Sequence, residues 1–418
     1  MHYFLLGFIL FMVATDLFSA YLLRRQLNYV RRHQDQVPPD FVGKISLAEH
    51  RRAADYTVTR GKFKEVSTVF GLIVSMGMLL WGIDRIDGGI SAWLSPDSQP
   101  VLHAIALVVL VSLVGQITDL PLDLYSTFGI EQKFGFNKTS VRTYALDMAR
   151  GLLVSAVISL PLMAGAFWVM NRYHGMWWLY VWVGLAAIMF VGPRLYFGLI
   201  MPLYNKITPV ADPELKMRIT ALVERSGFGI SGVFLIDASK RSGHGNAFII
   251  GFGKSKRIFL YDTLVNSHPV DEIVAVIAHE FGHAHHKHIM FGMIRGMAMS
   301  FVMLAAVGWL VQQPWLTVAF GFHNHDMGIS VMAALLLLST VNVILNPVMN
   351  WLSCRHEYQA DAFAGRQTGP AHMTAALLRL TIDNAQTLTS DPLFVMFNYD
   401  HPPVPARISQ LNQLAMAS

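Results

Sequence analysis

The chain has 418 residues, 53% of them hydrophobic and only 14% charged, against roughly 25% charged in ordinary soluble domains. Together with a mean hydropathy of +0.42, this excludes a string of soluble domains and points to a polytopic membrane protein. The net charge of +5 does not indicate nucleic acid, because the basic residues crowd between apolar stretches as juxtamembrane charge does.

Seven stretches approach the roughly 20 apolar residues needed to cross a bilayer, at about 4–23, 66–83, 102–119, 152–170, 177–200, 291–312 and 329–348. The first lacks a basic leader and a small-residue cleavage signal, so it reads as a retained helix. Gln116, Asp119 and Asp123 interrupt the end of the third, leaving a re-entrant or interfacial helix as the alternative. Pro161 and Gly165 in the fourth suggest a kink or close helix packing. Segment 24–65 carries ten Lys/Arg, among them Arg24, Arg25, Arg51 and Arg52, against five acidic residues. The positive-inside rule makes it cytosolic, with the N-terminus outside and the C-terminus inside. Lys133, Lys138, Arg142 and Arg150 add to the same side. Segments 201–290 and 349–418 then share the cytosol.

Segment 201–290 has the mixed polarity of a water-exposed domain. Asp212 to Arg225 reads as an amphipathic helix with Leu215, Ile219, Leu222 and Val223 on its buried stripe. Gly232–Asp237, Ala247–Ile250 and Arg257–Tyr261 read as strands, the last two joined through a glycine-rich turn. Asn246, Ala247 and Phe248 suit an edge strand that pairs with an extended substrate backbone. Asp271 opens a helix running through Ile273, Val274, Val276 and Ile277 to His279-Glu280-Phe281-Gly282-His283.

That last run carries the chemistry. Two histidines four positions apart lie one turn apart on one helix face, so both rings reach a single ion. Glu280 is placed to handle the proton of an attacking water. A zinc peptidase needs a third protein ligand. The pattern that supplies it as a later histidine fails here, because position 289 is Ile289 and position 286, where glycine is wanted, is His286. Glu357 is the candidate third ligand. Asp361, one helical turn on, is placed to accept the free ring N–H of a ligating histidine. His401 and Arg407 flank a proline-stiffened turn and are candidate donors to the developing oxyanion. His285, His286 and His288 read as juxtamembrane solvation rather than a second metal site. Cys354, the sole cysteine, reads as a packing residue and rules out an intrachain disulfide.

With these motifs in order, the chain resembles the Ste24/CAAX prenyl protease 1 family of integral-membrane zinc metalloproteases, peptidase family M48. The resemblance runs over nearly the whole length. It is carried by Tyr125 through Thr139, Pro202 through Pro209, Lys240 through Ala247, Lys256 through Leu264, His279 through His283, Glu357 through Asp361 and His401 through Pro403. It implies a mainly α fold: seven transmembrane helices around a water-filled chamber, with an inserted gluzincin-like catalytic domain containing a small β-sheet. The parts would be 1–200 (spans one to five), 201–290 (zinc-binding domain), 291–348 (spans six and seven) and 349–418 (the C-terminal part of the catalytic domain). It further implies one Zn2+ per chain on His279, His283 and Glu357, Glu280 as base, Asn246 on the substrate backbone, and His401 and Arg407 lining the site. A chamber also explains Gln116 and Asp119 within a span.

The implied activity is zinc-dependent endopeptidase cleavage of membrane-associated or CaaX-type proteins, in contact with membrane lipids. Nothing in the sequence requires nucleic acid or oligomerisation. The chain ends at Ser418, soon after His401 and without a dibasic retention-like ending, which suggests a bacterial homologue. It would then sit in an inner membrane, N-terminus periplasmic and zinc-ligand segments cytoplasmic, with quality control of membrane proteins as the alternative task. A transporter with structural zinc would more often show paired repeats with matching broken helices. A non-catalytic binding scaffold has no use for Glu280.

Overall fold

Long apolar helices set the frame, because a segment in lipid must satisfy its own backbone polar groups. The computed structural model describes residues 2–251 and 256–417. Among the described residues, six helices are long and apolar enough to span: Tyr3–His33, Leu47–Ser91, Pro100–Glu131, Val141–Arg172, Trp177–Tyr204 and His288–Leu310. A seventh crossing is a pair, Met327–Ser339 and Ile344–Thr368, bent by 59° at its break. This is a multi-pass membrane architecture.

The helices outrun the apolar stretches at both ends. Hydropathy marks the lipid crossing, whereas a hydrogen-bonded ladder continues into water while propensity and capping allow. Ser46 shows this, closing a capping box with Glu49 far ahead of the apolar run that begins near Val66. The third span runs unbroken past Gln116 and Asp119, and the fourth stays helical through Pro161. π-turns interrupt three spans, at Met78–Gly82, Tyr125–Glu131 and Tyr196–Ile200. Pro121 and Pro193 precede the last two, where a missing N–H loosens the ladder.

Between the fifth and sixth spans lies a four-stranded sheet of order β1-β2-β4-β3, with β1 Ile207–Pro209, β2 Ile230–Ile236, β3 Ala247–Ile250 and β4 Lys256–Tyr261. β2 and β4 are parallel, and the other pairs antiparallel. β3 is an edge, registered Ala247 to Leu260 and Ile250 to Arg257. Part of the turn joining β3 to β4 lies outside the described residues. β1 was not anticipated, since three residues carry no readable alternation.

The amphipathic helix Pro213–Ser226 starts on Asp212, whose carboxylate accepts from the N–H groups of Glu214 and Leu215, and stops at left-handed Gly227. Its Leu215, Ile219 and Leu222 join Ile258, Leu260, Ile273, Ile277 and Phe281 in one core. Phe363, Leu377, Ile408 and Leu411 enter that core from the chain beyond the seventh crossing. A second core, with Phe8, Leu79, Leu107, Trp177 and Phe320, fills the other end of the bundle. Spans and sheet are tied together by Arg241, whose guanidinium donates to Asp147 at 2.7 and 3.1 Å, and by a bridge of Asn137 with Ser242.

Candidate active site

Two helices build the site. The motif helix, Val270–His285, is buried almost all round from Glu272 to His279, so its position is fixed by packing. The carboxylate helix, Val341–Thr368, crosses it and turns Glu357, Ala360, Asp361 and Ala364 inward, each no more than 4% exposed. They meet at Gly282. A Cβ there would stand 2.7 Å from the Ala360 Cα and 2.9 Å from its carbonyl oxygen, so glycine permits the approach.

His279, His283 and Glu357 converge. Their facing Nε2 atoms are 3.2 Å apart, and the Glu357 oxygens stand 3.5 Å from His279 and 3.2 Å from His283. Ligands about 2.0–2.1 Å from a tetrahedral ion are roughly 3.3 Å apart, so the spacing fits zinc. Glu357 Oε2 is buried and has no hydrogen-bond partner.

The ring protons agree. Asp361 accepts from the His279 Nδ1–H at 2.8 Å, leaving Nε2 with its lone pair. On the other ring, His283 Nδ1 lies 3.1 Å from His288 Nδ1, and His288 Nε2 lies 2.8 Å from the Gln359 carbonyl oxygen. That oxygen only accepts, so His288 donates from Nε2, and its Nδ1 accepts from the His283 Nδ1–H. Both Nε2 lone pairs then face each other, an arrangement that calls for a cation. Burial lowers the His279 imidazole, but Asp361 and Glu357 outweigh it and raise it to about 9. The same two carboxylates favour a positive charge at the triad, whether a proton on Nε2 or a metal ion.

Glu280 turns into the same cleft, where burial raises its carboxyl against the pull of His279 and His283. A cavity of about 200 Å³ is lined by Asn246, Ala247, His279, Glu280, Glu357 and His401, among others. Phe248 is not among its lining residues; its ring stacks on Phe259 at 5.4 Å. The cavity shares Asn384, His401 and Arg407 with a larger one of about 690 Å³, which Tyr56, Thr57 and Arg60 of the second span also line. His401 is 58% exposed in its side chain and sits 3.5 Å from Glu357. Arg407 is instead 9% exposed, and its guanidinium grips Asp361 with bonds of 2.7 and 2.6 Å. Asp361 is therefore held by Arg407, not by neighbouring Arg355, which lies over the Trp351 ring.

His288 and Gln359 were not anticipated as parts of the site. Five positions separate His288 from His283, which no helix brings together; the chain breaks at Lys287, in the left-handed region at φ 57°, and folds His288 back. Replacing His288 by alanine removes the acceptor that sets the His283 tautomer, and should weaken zinc binding about 10–100-fold. Competition with a fluorescent chelator measures this, and an unchanged affinity would refute the relay.

Comparison with known proteins places this geometry. Residues 26–206 match the family model described as CAAX prenyl protease N-terminal, five membrane helices, and residues 209–415 match Peptidase family M48. The chain is similar to the Arabidopsis thaliana CAAX prenyl protease 1 homolog, 31% identical over 408 residues and covering 96% of each chain. It is 30% identical to CAAX prenyl protease 1 of Saccharomyces cerevisiae, covering 97% of this chain and 94% of that one. The crystal structure of S. mikatae Ste24p superposes with a TM-score of 0.90 at 30% identity, covering 98% of each chain. With that fold and three side chains placed to hold a metal ion, the chain belongs to the Ste24/CAAX prenyl protease 1 family of M48 peptidases and is a metal-activated membrane endopeptidase.

Proposed function

We propose that the chain cuts peptide bonds of membrane-associated proteins with one zinc ion held by His279, His283 and Glu357, and with Glu280 as the base. The observation carrying this reading is the meeting of three ligand atoms from two helices beside a half-buried carboxylate that lines the same cleft. Bound zinc supplies Lewis-acid polarisation of the scissile carbonyl and makes water more acidic. Glu280 takes the proton of the attacking water on its carboxylate and passes it to the leaving amine. Asp361, held by Arg407, keeps the His279 proton on Nδ1, and His288 does the same for His283. The edge of β3, with Asn246 at its start, offers backbone groups to an extended substrate. His401, at the mouth of the cleft, is placed to donate to the developing oxyanion, with Arg407 behind it acting through Asp361 and Glu357.

CaaX-type carboxyl-terminal substrates are the favoured class, because the relatives' names describe prenyl proteases. The basic segment 24–65 supports a cytosolic catalytic side with the N-terminus outside. Placement in a bacterial inner membrane rests on the sequence alone, and the relatives named above are eukaryotic. Purified protein in detergent should cleave peptides, lose cleavage with a zinc chelator and regain it on adding zinc; chelator-insensitive cleavage overturns the reading. Matched prenylated and unmodified peptides decide the substrate class. A preference for the prenylated peptide supports CaaX processing, and equal cutting supports a general membrane protease.

A further inference from the structure

At the end of the bundle away from the catalytic cleft, three span ends meet around a second set of ligating groups. Asp87 lies near the end of Leu47–Ser91, His103 in the first turn of Pro100–Glu131, and Asp326 caps Met327–Ser339. Arg60, on the catalytic cleft, is roughly 40 Å from Asp87 along their shared helix, at about 1.5 Å per residue. Asp87 and His103 are 0% exposed.

The hydrogen bonds leave only acceptors free. The Ser91 hydroxyl donates to the Asp87 carbonyl at 2.9 Å, so its oxygen accepts from His103 Nε2–H at 3.1 Å. That fixes the proton on Nε2 and leaves a lone pair on Nδ1, which has no partner. Asn324 donates to Asp87 Oδ2, while Asp87 Oδ1 has no partner. Asp326 Oδ1 accepts from the N–H groups of Gly328 and Ile329 at 2.8 and 3.1 Å, and Oδ2 has no partner. The closest imidazole–carboxylate approaches, 3.6 Å from the protonated Nε2 to Asp87 Oδ1 and 3.9 Å from Nδ1 to Asp326 Oδ1, are too long for hydrogen bonds. Among the described residues, no lysine or arginine pairs with either carboxylate. One oxygen of each carboxylate and an imidazole lone pair, buried without a donor, are costly unless a cation or a shared proton sits between them.

We propose that Asp87, His103 and Asp326 bind a second divalent ion, which clasps the ends of the second, third and seventh spans. One ligand atom from each lies within 4.8 Å of the others; trans ligands of an octahedral ion are roughly 4.2 Å apart at about 2.1 Å bonds, so these side chains need draw in by no more than about 0.6 Å to share one ion. One imidazole nitrogen with two carboxylate oxygens suits a first-row ion such as Zn2+ or Mn2+. The site shares no residue with the catalytic triad.

The test counts metal. Full-length protein in detergent is stripped with chelator, loaded with excess Zn2+ or Mn2+, desalted and assayed by mass spectrometry. Wild type should hold two equivalents of at least one metal, and Asp87→Asn/Asp326→Asn should hold one fewer; asparagine at 326 keeps the helix cap. Because a misfolded variant would lose both ions, His279→Ala/His283→Ala is counted as well. One equivalent retained there upholds the second site, and none overturns it. A wild type that never exceeds one equivalent of either metal also overturns it, leaving protons as the counter-charge.

Discussion

Glu280→Gln should lower peptide hydrolysis by about 10³–10⁴-fold while the zinc content stays at the wild-type value. A positioned general base contributes up to roughly 10⁴-fold, or about 5.5 kcal/mol of barrier. Gln keeps the size and polarity of the side chain but removes its capacity to take a proton. Nothing in the ligand set is lost, since His279, His283 and Glu357 converge without Glu280. Single-turnover cleavage of a fluorogenic peptide, with zinc measured on the same preparation, separates the two effects. Activity within tenfold of wild type would remove Glu280 from the role of base. Loss of zinc together with activity would instead make it part of the metal site.

Gly282→Ala should lower activity about 10²-fold, by a different route. Its new methyl would meet Ala360 Cα at 2.7 Å, where ordinary contact begins at 3.4 Å. The obstacle is backbone, so no rotamer relieves it, and the helices must part by about 0.7 Å, the difference of those distances. Alanine is the better helix former by about 1 kcal/mol, but overpacking of this kind costs about 1–3 kcal/mol. Stability therefore changes little. Function should change far more, because Glu357 lies one turn from Ala360 and moves away from both histidines. Misplacement on the order of 1 Å costs about 10²-fold in rate. Zinc affinity and peptide hydrolysis should both fall while the melting temperature stays within a few degrees. Wild-type affinity would mean that the helices close without this contact.

Much of this arrangement was legible in the chain because it is local or periodic. Histidines four apart announce a shared face, and Ala247–Ile250 is a strand in the structure with the bounds that its composition suggests. Asp361 one turn from Glu357 announces a partner for a ligand, and it bonds His279. What escaped depends on breaks and crossings. His288 reaches His283 only because the helix ends at a left-handed lysine, a conformation that residue type does not advertise. Arg407 is a candidate oxyanion donor by its place near His401, yet burial against Asp361 is a tertiary outcome. The seventh crossing reads as one apolar run, whereas its helix breaks near Thr340 and redirects the carboxylate helix toward the motif helix.

The crossing at Gly282 joins segments that leave the ribosome at different times. When His279 and His283 have been translated, Glu357 has not, and two more apolar passages must enter the bilayer before it can arrive. A nascent chain halted before that point carries the proposed base and two ring nitrogens but lacks the proposed third ligand. On the proposed ligand set, hydrolytic competence waits for finished membrane integration.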